Sequence, residues 1–123
     1  MKITDMTSYI ASIPRQRSLN TYYGDIPDTK TITVLVNTDD GITGIGQTLS
    51  HAPHYGDTAE SIKNNIDNYI KPAIIGQDPF DIEHLFEVMY KCIGKSTRYP
   101  VTAIEFALWD IKGKALNVPV YNL

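Results

Sequence analysis

The stretch 103–123 reads AIEFALWDIKGKALNVPVYNL and combines a clear helical pattern with an unusual ending. Apolar residues recur in it at spacings of three and four, which is typical of a helix with one buried face. Pro100 suits the first turn of this helix, and Asn117 followed by Pro119 predicts its end. The tail 118–123 is mostly apolar and has no evident partner, so we expect the chain to continue into a further element. The apolar stripe of the helix is Val101, Ile104, Leu108, Ile111 and Ala115.

Two further helices are predicted upstream of this one. Asp57 and Glu60 have the spacing of a capping box, and the helix that they begin is predicted to stop at Lys71 and Pro72. Asp78 suits the N-cap position of the next helix, with a proline in its first turn. The stripe of the earlier helix is Ile62, Ile66, Tyr69 and Ile70, and that of the later one is Ile82, Leu85, Phe86, Met89 and Ile93.

The sequence before these helices alternates with the period of two that is typical of strands. Apolar and polar residues alternate within 30–38, the turn residues 39–41 follow, and a second β-type run covers 42–49, which together predict a hairpin. The run 3–13 is rich in β-branched residues and stops at Pro14, so it predicts a third strand. Strands followed by helices predict an α+β fold, with a three-stranded antiparallel meander and three or more α-helices after it.

Glycines and loops add detail to this outline. Gly44 and Gly46 in the last strand indicate a bend or a close approach of another backbone. The segment 15–28, RQRSLNTYYGDIPD, predicts a long loop between the first two strands, and long loops in compact domains are usually functional or mobile. A second loop, 50–56 or SHAPHYG, joins the last strand to the first helix and holds two of the three histidines. We expect the two loops on one side of the sheet.

Composition excludes several classes of protein. The chain has 123 residues, 42% hydrophobic and 20% charged, which predicts a single soluble domain. Its formal net charge is −3 and its lysines and arginines are scattered, so neither nucleic acid nor a membrane surface is an expected partner. The single cysteine, Cys92, lies in a helical pattern and predicts a buried, inert thiol. With no apolar run typical of a signal peptide or a spanning helix, we expect a cytoplasmic protein.

The residues taken alone indicate no catalytic centre. His51, His54 and Asp57 have a spacing that could supply three zinc ligands, although an intervening proline on a loop makes the signal weak. His84 stands among carboxylates on a predicted helix, which is typical of a surface histidine. The sequence has no glycine-rich phosphate loop, no GxSxG motif and no cysteine dyad.

Three motifs carry a resemblance to a known family. They are the hairpin VLVNTDDGITGIGQT, the segment YGDTAESIKNNIDNYIKPAIIGQDP and the tail AIEFALWDIKGKALNVPVYNL. In this order and spacing they resemble the N-terminal capping domain of the mandelate racemase and muconate lactonizing enzyme branch of the enolase superfamily. The resemblance spans the chain and implies a capping domain over 1–117. It also implies that 118–123 begin a linker strand into a (β/α)8-like barrel.

The resemblance implies chemistry that lies outside this chain. In the family the barrel carries the metal ligands and the acid and base residues, all of which would follow Leu123. The implied reaction is abstraction of a proton α to a carboxylate, with Mg²⁺ stabilising the enediolate. We therefore expect no catalytic residue, no metal ligand and no cofactor within the 123 residues, and no activity from the chain alone.

The same resemblance implies a role for the two loops, which in the family close over the barrel mouth and contact the substrate. Tyr55 stands where muconate lactonizing enzymes have a substrate-side tyrosine in a similar YG context. Gln47 is a departure, because relatives commonly have Glu after the GxG. The stretch of Leu108, Trp109 and Asp110 is interpreted as interdomain core, although packing and an i,i+4 pair with a lysine explain it equally well. Weaker substrate-binding candidates, each more typical of a solvated loop side chain, are Arg15, Arg17, Tyr22, Tyr23, His51 and His54.

The reaction and the partners stay open at this level. The segment around Tyr55 favours the subgroup of cycloisomerases, dipeptide epimerases and N-acyl amino acid racemases. Racemases and dehydratases of hydroxy acids and acid sugars are the alternative, and a stand-alone binding module is the alternative of another class. Expected partners are a small carboxylate substrate, the barrel, and a second copy of the chain in a homo-oligomer that uses the tail and the stripe of Val101, Ile104 and Leu108.

Overall fold

The computed structural model describes residues 1–95 and 97–123 and contains a three-stranded antiparallel sheet followed by helices. The strands are β1 (Ile3–Thr21), β2 (Gly24–Thr38) and β3 (Thr43–Leu49), in the order β1-β2-β3. The helices are α1 (Ala52–Tyr55), α2 (Ala59–Asn64), α3 (Lys71–Ile74), α4 (Ile82–Ile93) and α5 (Tyr99–Leu116). A π-helical turn, Asn65–Ile70, joins α2 to α3. The predicted α+β meander is confirmed.

The first hairpin is much longer than the sequence suggests. The predicted loop over 15–28 is wrong, because β1 continues to Thr21 and pairs again with β2 down to Gly24. A register shift between Pro14 and Leu19 absorbs the intervening residues, after which the ladder resumes. Pro14 is tolerated because β1 lies at the edge of the sheet, where a missing N–H costs little. The hairpin thus projects a narrow arm whose turn consists of Tyr22 and Tyr23.

The second hairpin follows the prediction, with residues 39–41 in the turn between β2 and β3. The close approach predicted at Gly44 and Gly46 is also confirmed. A Cβ atom on Gly44 would lie 2.1 Å from the carbonyl oxygen of Ala107, and one on Gly46 would lie 1.8 Å from that of Ala103. Because a side chain would clash at both positions, glycine lets the backbone of α5 lie directly on β3.

The helix after the second loop does not stop at Pro72. The π-helical turn widens the backbone just before this proline, which then occupies the first turn of α3, where its missing N–H is tolerated. The wider turn also changes the phase of the stripe, so that Ile66, Ile70 and Ile74 are buried whereas Tyr69 is 55% exposed. The predicted stop at Lys71 and Pro72 and the predicted burial of Tyr69 are therefore wrong.

Two predicted helix caps are displaced by a few residues. Thr58, rather than Asp57, caps α2, since its side chain accepts a hydrogen bond from the Ser61 N–H at 3.0 Å. Asp81, rather than Asp78, caps α4 by accepting from the His84 N–H. In each case a neighbouring residue also has a capping side chain, so composition alone does not select the cap. Helix α5 ends as predicted, with the αL residue Asn117 at its C-cap.

The core lies between one face of the sheet and the helices. The stripe residues Leu108 and Ile104 are fully buried in it, and Val101 is nearly so. They are therefore not available for self-association, and Leu108 belongs to the core of this domain rather than to an interdomain core. Cys92 is only half-buried. The largest fully buried side chains are Ile3, Met6, Ile32, Ile62, Ile66, Ile70, Ile74, Leu85, Met89, Ile104, Leu108 and Ile111.

The tail turns back against α5 instead of leaving as a strand. The Val118 N–H donates to the Gly113 carbonyl at 3.0 Å, and Val120–Asn122 form a 3₁₀ turn. The tail forms a turn rather than a strand in this structure, and its apolar side chains are exposed as expected. A role for 118–123 as a linker stays a prediction from the sequence. None of the helices in the described part of the chain is long and apolar enough to span a bilayer.

Candidate functional site

The tip of the first hairpin lies beside the short helix α1. The ring of Tyr23 meets the ring of His54 edge-on, with the centroids 4.9 Å apart. Tyr22 packs on Tyr23 at 5.2 Å and His51 packs on His54 at 5.5 Å, also edge-on. The structure therefore brings four of the sequence candidates together, where the hairpin tip and the segment 50–56 meet.

The row of rings continues to the start of α5. The centroids of His54 and Tyr55 are 6.0 Å apart, and those of Tyr55 and Tyr99 are also 6.0 Å apart. Sequence reasoning does not single out Tyr99, because a residue directly before Pro100 indicates only where a helix begins. The aromatic cluster, as we call these residues, consists of Tyr22, Tyr23, His51, His54, Tyr55 and Tyr99.

Most of the cluster faces solvent. Tyr22 is 95% exposed and Tyr55 is 68% exposed, whereas Tyr99 at the other end is half-buried. Exposed aromatic rings with hydroxyl and imidazole tips can cover an apolar group and donate or accept hydrogen bonds at the same time. The cluster is therefore suited to contact a ligand that has both apolar and polar parts.

Local hydrogen bonds shape the segment that carries His54 and Tyr55. The Ser50 N–H donates to the Lys30 carbonyl at 2.9 Å, and the Ser50 hydroxyl donates to the Asp57 carbonyl at 2.8 Å. These bonds join the two ends of the segment to each other and to β2. Between them, α1 makes a single turn that ends at Gly56. The φ of Gly56, 79°, lies in the left-handed region that favours glycine. The side chains of α1 thus stand on a closed loop.

Asp57 and Tyr99 fix the loop against the rest of the domain. The carboxylate of Asp57 accepts a hydrogen bond from the Thr97 hydroxyl at 2.6 Å. Burial chiefly raises the pKa of Tyr99, and the neighbouring Tyr55 and Asp57 raise it further because they disfavour a second negative charge. Tyr99 therefore keeps its proton at neutral pH and remains a hydrogen-bond donor.

Two sequence candidates, Arg15 and Arg17, and the departure at Gln47 lie outside the row of rings. Arg15 and Arg17 belong to the irregular part of β1 between Pro14 and Leu19, below the hairpin tip. Gln47 lies on the sheet face opposite the helices, where its amide donates to the Thr33 hydroxyl at 2.9 Å. The Nε atom of Arg15 is buried and has no hydrogen-bond partner among the described residues.

The histidines form aromatic contacts rather than a metal-ligand set. The carboxylate of Asp57 is hydrogen-bonded to Thr97, and His51 and His54 pack ring against ring. Within 1–95 and 97–123 there is no group of three or more His, Cys, Asp or Glu side chains that could hold a metal ion. His84 lies on the exposed side of α4, as expected for a surface histidine.

A polar cluster, separate from the aromatic cluster, joins β1 to α2. The Lys63 ammonium donates to the Ser8 carbonyl, the Ser8 hydroxyl and the Asp67 carboxylate, at 2.8, 2.9 and 2.8 Å. The Ser8 hydroxyl in turn donates to the Asp67 carboxylate at 2.5 Å. The three side chains therefore bond to one another, and we interpret the cluster as structural.

The family of the chain follows from a comparison with known domains. Residues 5–123 match the model described as "Mandelate racemase / muconate lactonizing enzyme, N-terminal domain". The chain belongs to this family. The mandelate racemase and muconate lactonizing enzyme resemblance is therefore confirmed, and so is the fold that it implies.

Three relatives indicate the range of activities in the family. The chain is 36% identical to the N-succinyl-L-Arg/Lys racemase of Bacillus cereus, over all of this chain and 33% of the relative. The crystal structure of that racemase has a TM-score of 0.94 and covers 99% of this chain and 33% of its own. A dipeptide epimerase from Enterococcus faecalis V583, solved with Mg and the dipeptide L-Leu-L-Tyr, is 27% identical with a TM-score of 0.93 and covers 99% of this chain and 34% of its own. A D-mannonate dehydratase of Rhizorhabdus wittichii is 31% identical over 79% of this chain and 24% of its own.

The chain spans about a third of the length of the racemase and of the dipeptide epimerase. Its similarity to them therefore concerns the N-terminal domain, while the activities in their names belong to proteins about three times as long.

Proposed function

We propose that this chain is the substrate-selecting domain of a Mg²⁺-dependent enolase-superfamily enzyme. In that enzyme, the aromatic cluster contacts the part of the substrate that lies away from the reacting carbon. The observation that supports this role is the meeting of Tyr23 and His54, because it joins two segments distant in sequence into one exposed surface. We further propose that the reaction is racemisation or epimerisation of an N-acyl amino acid or a dipeptide.

The proposed reaction begins with removal of a proton α to a carboxylate. Bound Mg²⁺ supplies the charge that stabilises the resulting enediolate. The described residues of this chain include no set of ligands for such an ion, so we assign no step of the chemistry to them. The contribution of the chain is to bind and orient the substrate and to exclude water from it.

The chemistry of the cluster favours an acylated or dipeptide substrate over an acid sugar. The rings of Tyr22, Tyr23 and Tyr55 offer apolar faces that suit the methylene groups and side chains of such molecules. The imidazoles of His51 and His54 can donate to or accept from an amide group. A polyhydroxylated sugar acid has fewer apolar groups for these ring faces to cover.

Two other functions remain as alternatives. Dehydration of an acid sugar is supported by the similarity to a D-mannonate dehydratase, at 31% identity over 79% of the chain. The other alternative, of a different class, is a binding module without catalytic activity, in which the cluster would bind its ligand without a barrel.

A chimera tests the proposal. Residues 1–117 of this chain replace the corresponding domain of the Bacillus cereus racemase, and kcat/KM is measured for N-succinyl-arginine, for other N-acyl amino acids and for dipeptides. We expect a changed order of substrate preference with racemisation retained, because the barrel supplies the chemistry and this domain selects the substrate. A matched variant with Tyr55→Ala should lower kcat/KM further for substrates with large distal groups. An unchanged order of preference would contradict the proposed role.

A further inference from the structure

The segment 50–57, which we call the α1 loop, meets the start of α5 through two neighbouring contacts. Thr97 donates its hydroxyl proton to the Asp57 carboxylate at 2.6 Å, and the Tyr99 ring lies 6.0 Å from the Tyr55 ring. Asp57 lies two positions after Tyr55, and Thr97 lies two positions before Tyr99. The end of the α1 loop therefore runs alongside the start of α5. The hydrogen bond connects residues 40 positions apart and ends on a charged acceptor, a class stronger than neutral pairs.

We propose that Thr97 and Asp57 are positioning residues which hold the α1 loop, and through it the hairpin tip, in one orientation. The inference rests on the proposed function insofar as this orientation is the one that contacts substrate. Neither side chain is assigned a contact with substrate. Both act through Tyr55 and His54, whose rings belong to the exposed surface.

The hairpin tip depends on this attachment because it has little other support. Beyond the register shift at Pro14 and Leu19, the arm pairs with itself, and its side chains are mostly exposed. The edge-on contact between Tyr23 and His54 joins its tip to the α1 loop. A loop that is free to move would therefore release the tip as well, and the surface formed by the two segments would no longer be fixed.

The first experiment measures amide hydrogen exchange in the chain itself, with Thr97→Val compared with Thr102→Val. The hydroxyl of Thr102 donates to the carbonyl of Arg98, the N-cap residue of the same helix, at 3.1 Å, so this variant is matched in chemistry and in location. We expect Thr97→Val to accelerate exchange of the Tyr55 and Gly56 amides, which bond to His51 and Ala52, by about tenfold. Amides of β2 should be unaffected. Equal exchange in the two variants would overturn the proposal.

A conservative pair separates positioning from general stability. Asp57→Asn keeps an oxygen that can accept from Thr97, whereas Asp57→Ala does not. We expect the asparagine variant to retain most of the protection in 51–56, together with the ring-current shifts of the His54 protons, and the alanine variant to lose both. If the two variants behave alike, Asp57 does not position the loop.

The chimera described above provides the second experiment. With Thr97→Val, KM should rise about tenfold with kcat nearly unchanged, because the loop loses its bound orientation while the barrel chemistry is untouched. Altered exchange in the chain without any change in KM would overturn the link to substrate and, with it, the proposed function. Unaltered exchange would overturn the positioning role alone, so the two failures are distinguishable.

Discussion

Asp110 shows how a single residue can do more than its sequence context indicates. The predicted i,i+4 pair with Lys114 is confirmed at 2.6 Å. The same carboxylate accepts from the Ile45 N–H at 2.9 Å, and the Lys114 ammonium donates to the Thr43 carbonyl at 2.7 Å. Together they satisfy backbone groups on the free edge of β3, which would otherwise be available to pair with another strand. The pair is visible in the sequence, but its role at the edge is not, because Ile45 lies 65 residues away.

Replacing Asp110 should therefore lower the free energy of unfolding by more than the loss of an exposed ion pair would. We expect Asp110→Ala to lower the free energy of unfolding by about 1–1.5 kcal/mol, since the Ile45 N–H loses its acceptor and the Lys114 ammonium keeps only the Thr43 carbonyl. Asp110→Asn should cost less, because its amide oxygen can still accept from Ile45. Urea unfolding measures both. Glu60→Gln, in the exposed pair with Lys30 at 4.0 Å, serves as the control, and its effect should stay below about 0.5 kcal/mol. A loss at Asp110 no larger than the control would contradict the role at the edge.

Asp5 provides a pH-dependent test of the contact between β1 and α3. Its carboxylate accepts from Lys71 at 2.7 Å, and this hydrogen bond, with the Met6 N–H and the charge of the lysine, holds the pKa of Asp5 below its ordinary value. The folded state therefore binds the proton less tightly than the unfolded state. The stabilisation is present above the ordinary aspartate pKa of about 3.9 and is lost as the pH falls through the lower folded value.

We accordingly expect the stability of Asp5→Asn to fall less steeply with acidification than that of the unchanged chain. Thermal unfolding followed between neutral pH and about pH 2 makes the comparison. Since Asp5 is half exposed, the difference should be small and should shrink in high salt. Parallel pH profiles for the two proteins would show that the pair contributes nothing.

At the scale of elements, the sequence predicts which elements exist better than it predicts where they end. The three strands and the principal helices follow from periodicity, because alternation and three-four spacing reflect burial directly. The ends depend on local backbone irregularities that leave no periodic signal. The register shift after Pro14 turns a predicted loop into a strand, and the π-helical turn carries a helix past Pro72. Both prolines are tolerated at positions that only the surrounding structure defines.

The same limit applies to the candidate site. Loop position and the YG context identify five members of the aromatic cluster, but the sixth, Tyr99, follows only from the packing of α5 beside the α1 loop. The loop positions of Arg15 and Arg17 are wrong for the same reason that the long loop is wrong: the ladder resumes after the register shift. A role for them in binding remains a prediction from the sequence.

The backbones of β3 and α5 approach each other so closely that Gly44 and Gly46 leave no room for a Cβ atom. We expect Gly46→Ala to destabilise the domain by about 3 kcal/mol or more, because the new Cβ would lie 1.8 Å from the Ala103 carbonyl oxygen and neither backbone can move easily. Gln47→Ala, on the opposite face of the same strand, should cost less than about 1 kcal/mol. Chemical denaturation compares the two. A tolerated alanine at position 46 would show that α5 can shift away from the sheet.

At the scale of the whole molecule, the core is complete but one outer surface is apolar. The outer side of α5 and the tail form a groove of about 460 Å³ that includes Phe106, Trp109, Val120 and Leu123. Val120 is 47% exposed and Leu123 is 43% exposed. Exposed apolar surface of this kind usually has a partner. The Bacillus cereus racemase is about three times as long as this chain, and under the proposed function the rest of the enzyme would cover this surface.

We therefore expect the isolated chain to associate through this groove, as a dimer or a larger homo-oligomer. Because the stripe of Val101, Ile104 and Leu108 is buried, the association should depend on the tail and the outer side of α5. Light scattering at high micromolar concentration measures the mass of the chain and of the double variant Val120→Asp and Leu123→Asp, which places two charges in the groove. A control, Tyr9→Asp and Ile45→Asp, places the same charges on the exposed face of the sheet. The tail variant should be monomeric and the sheet variant should associate like the unchanged chain. If the tail variant still associates, or if the sheet variant alone becomes monomeric, then the open face of the sheet, rather than the groove, is the surface that joins the copies.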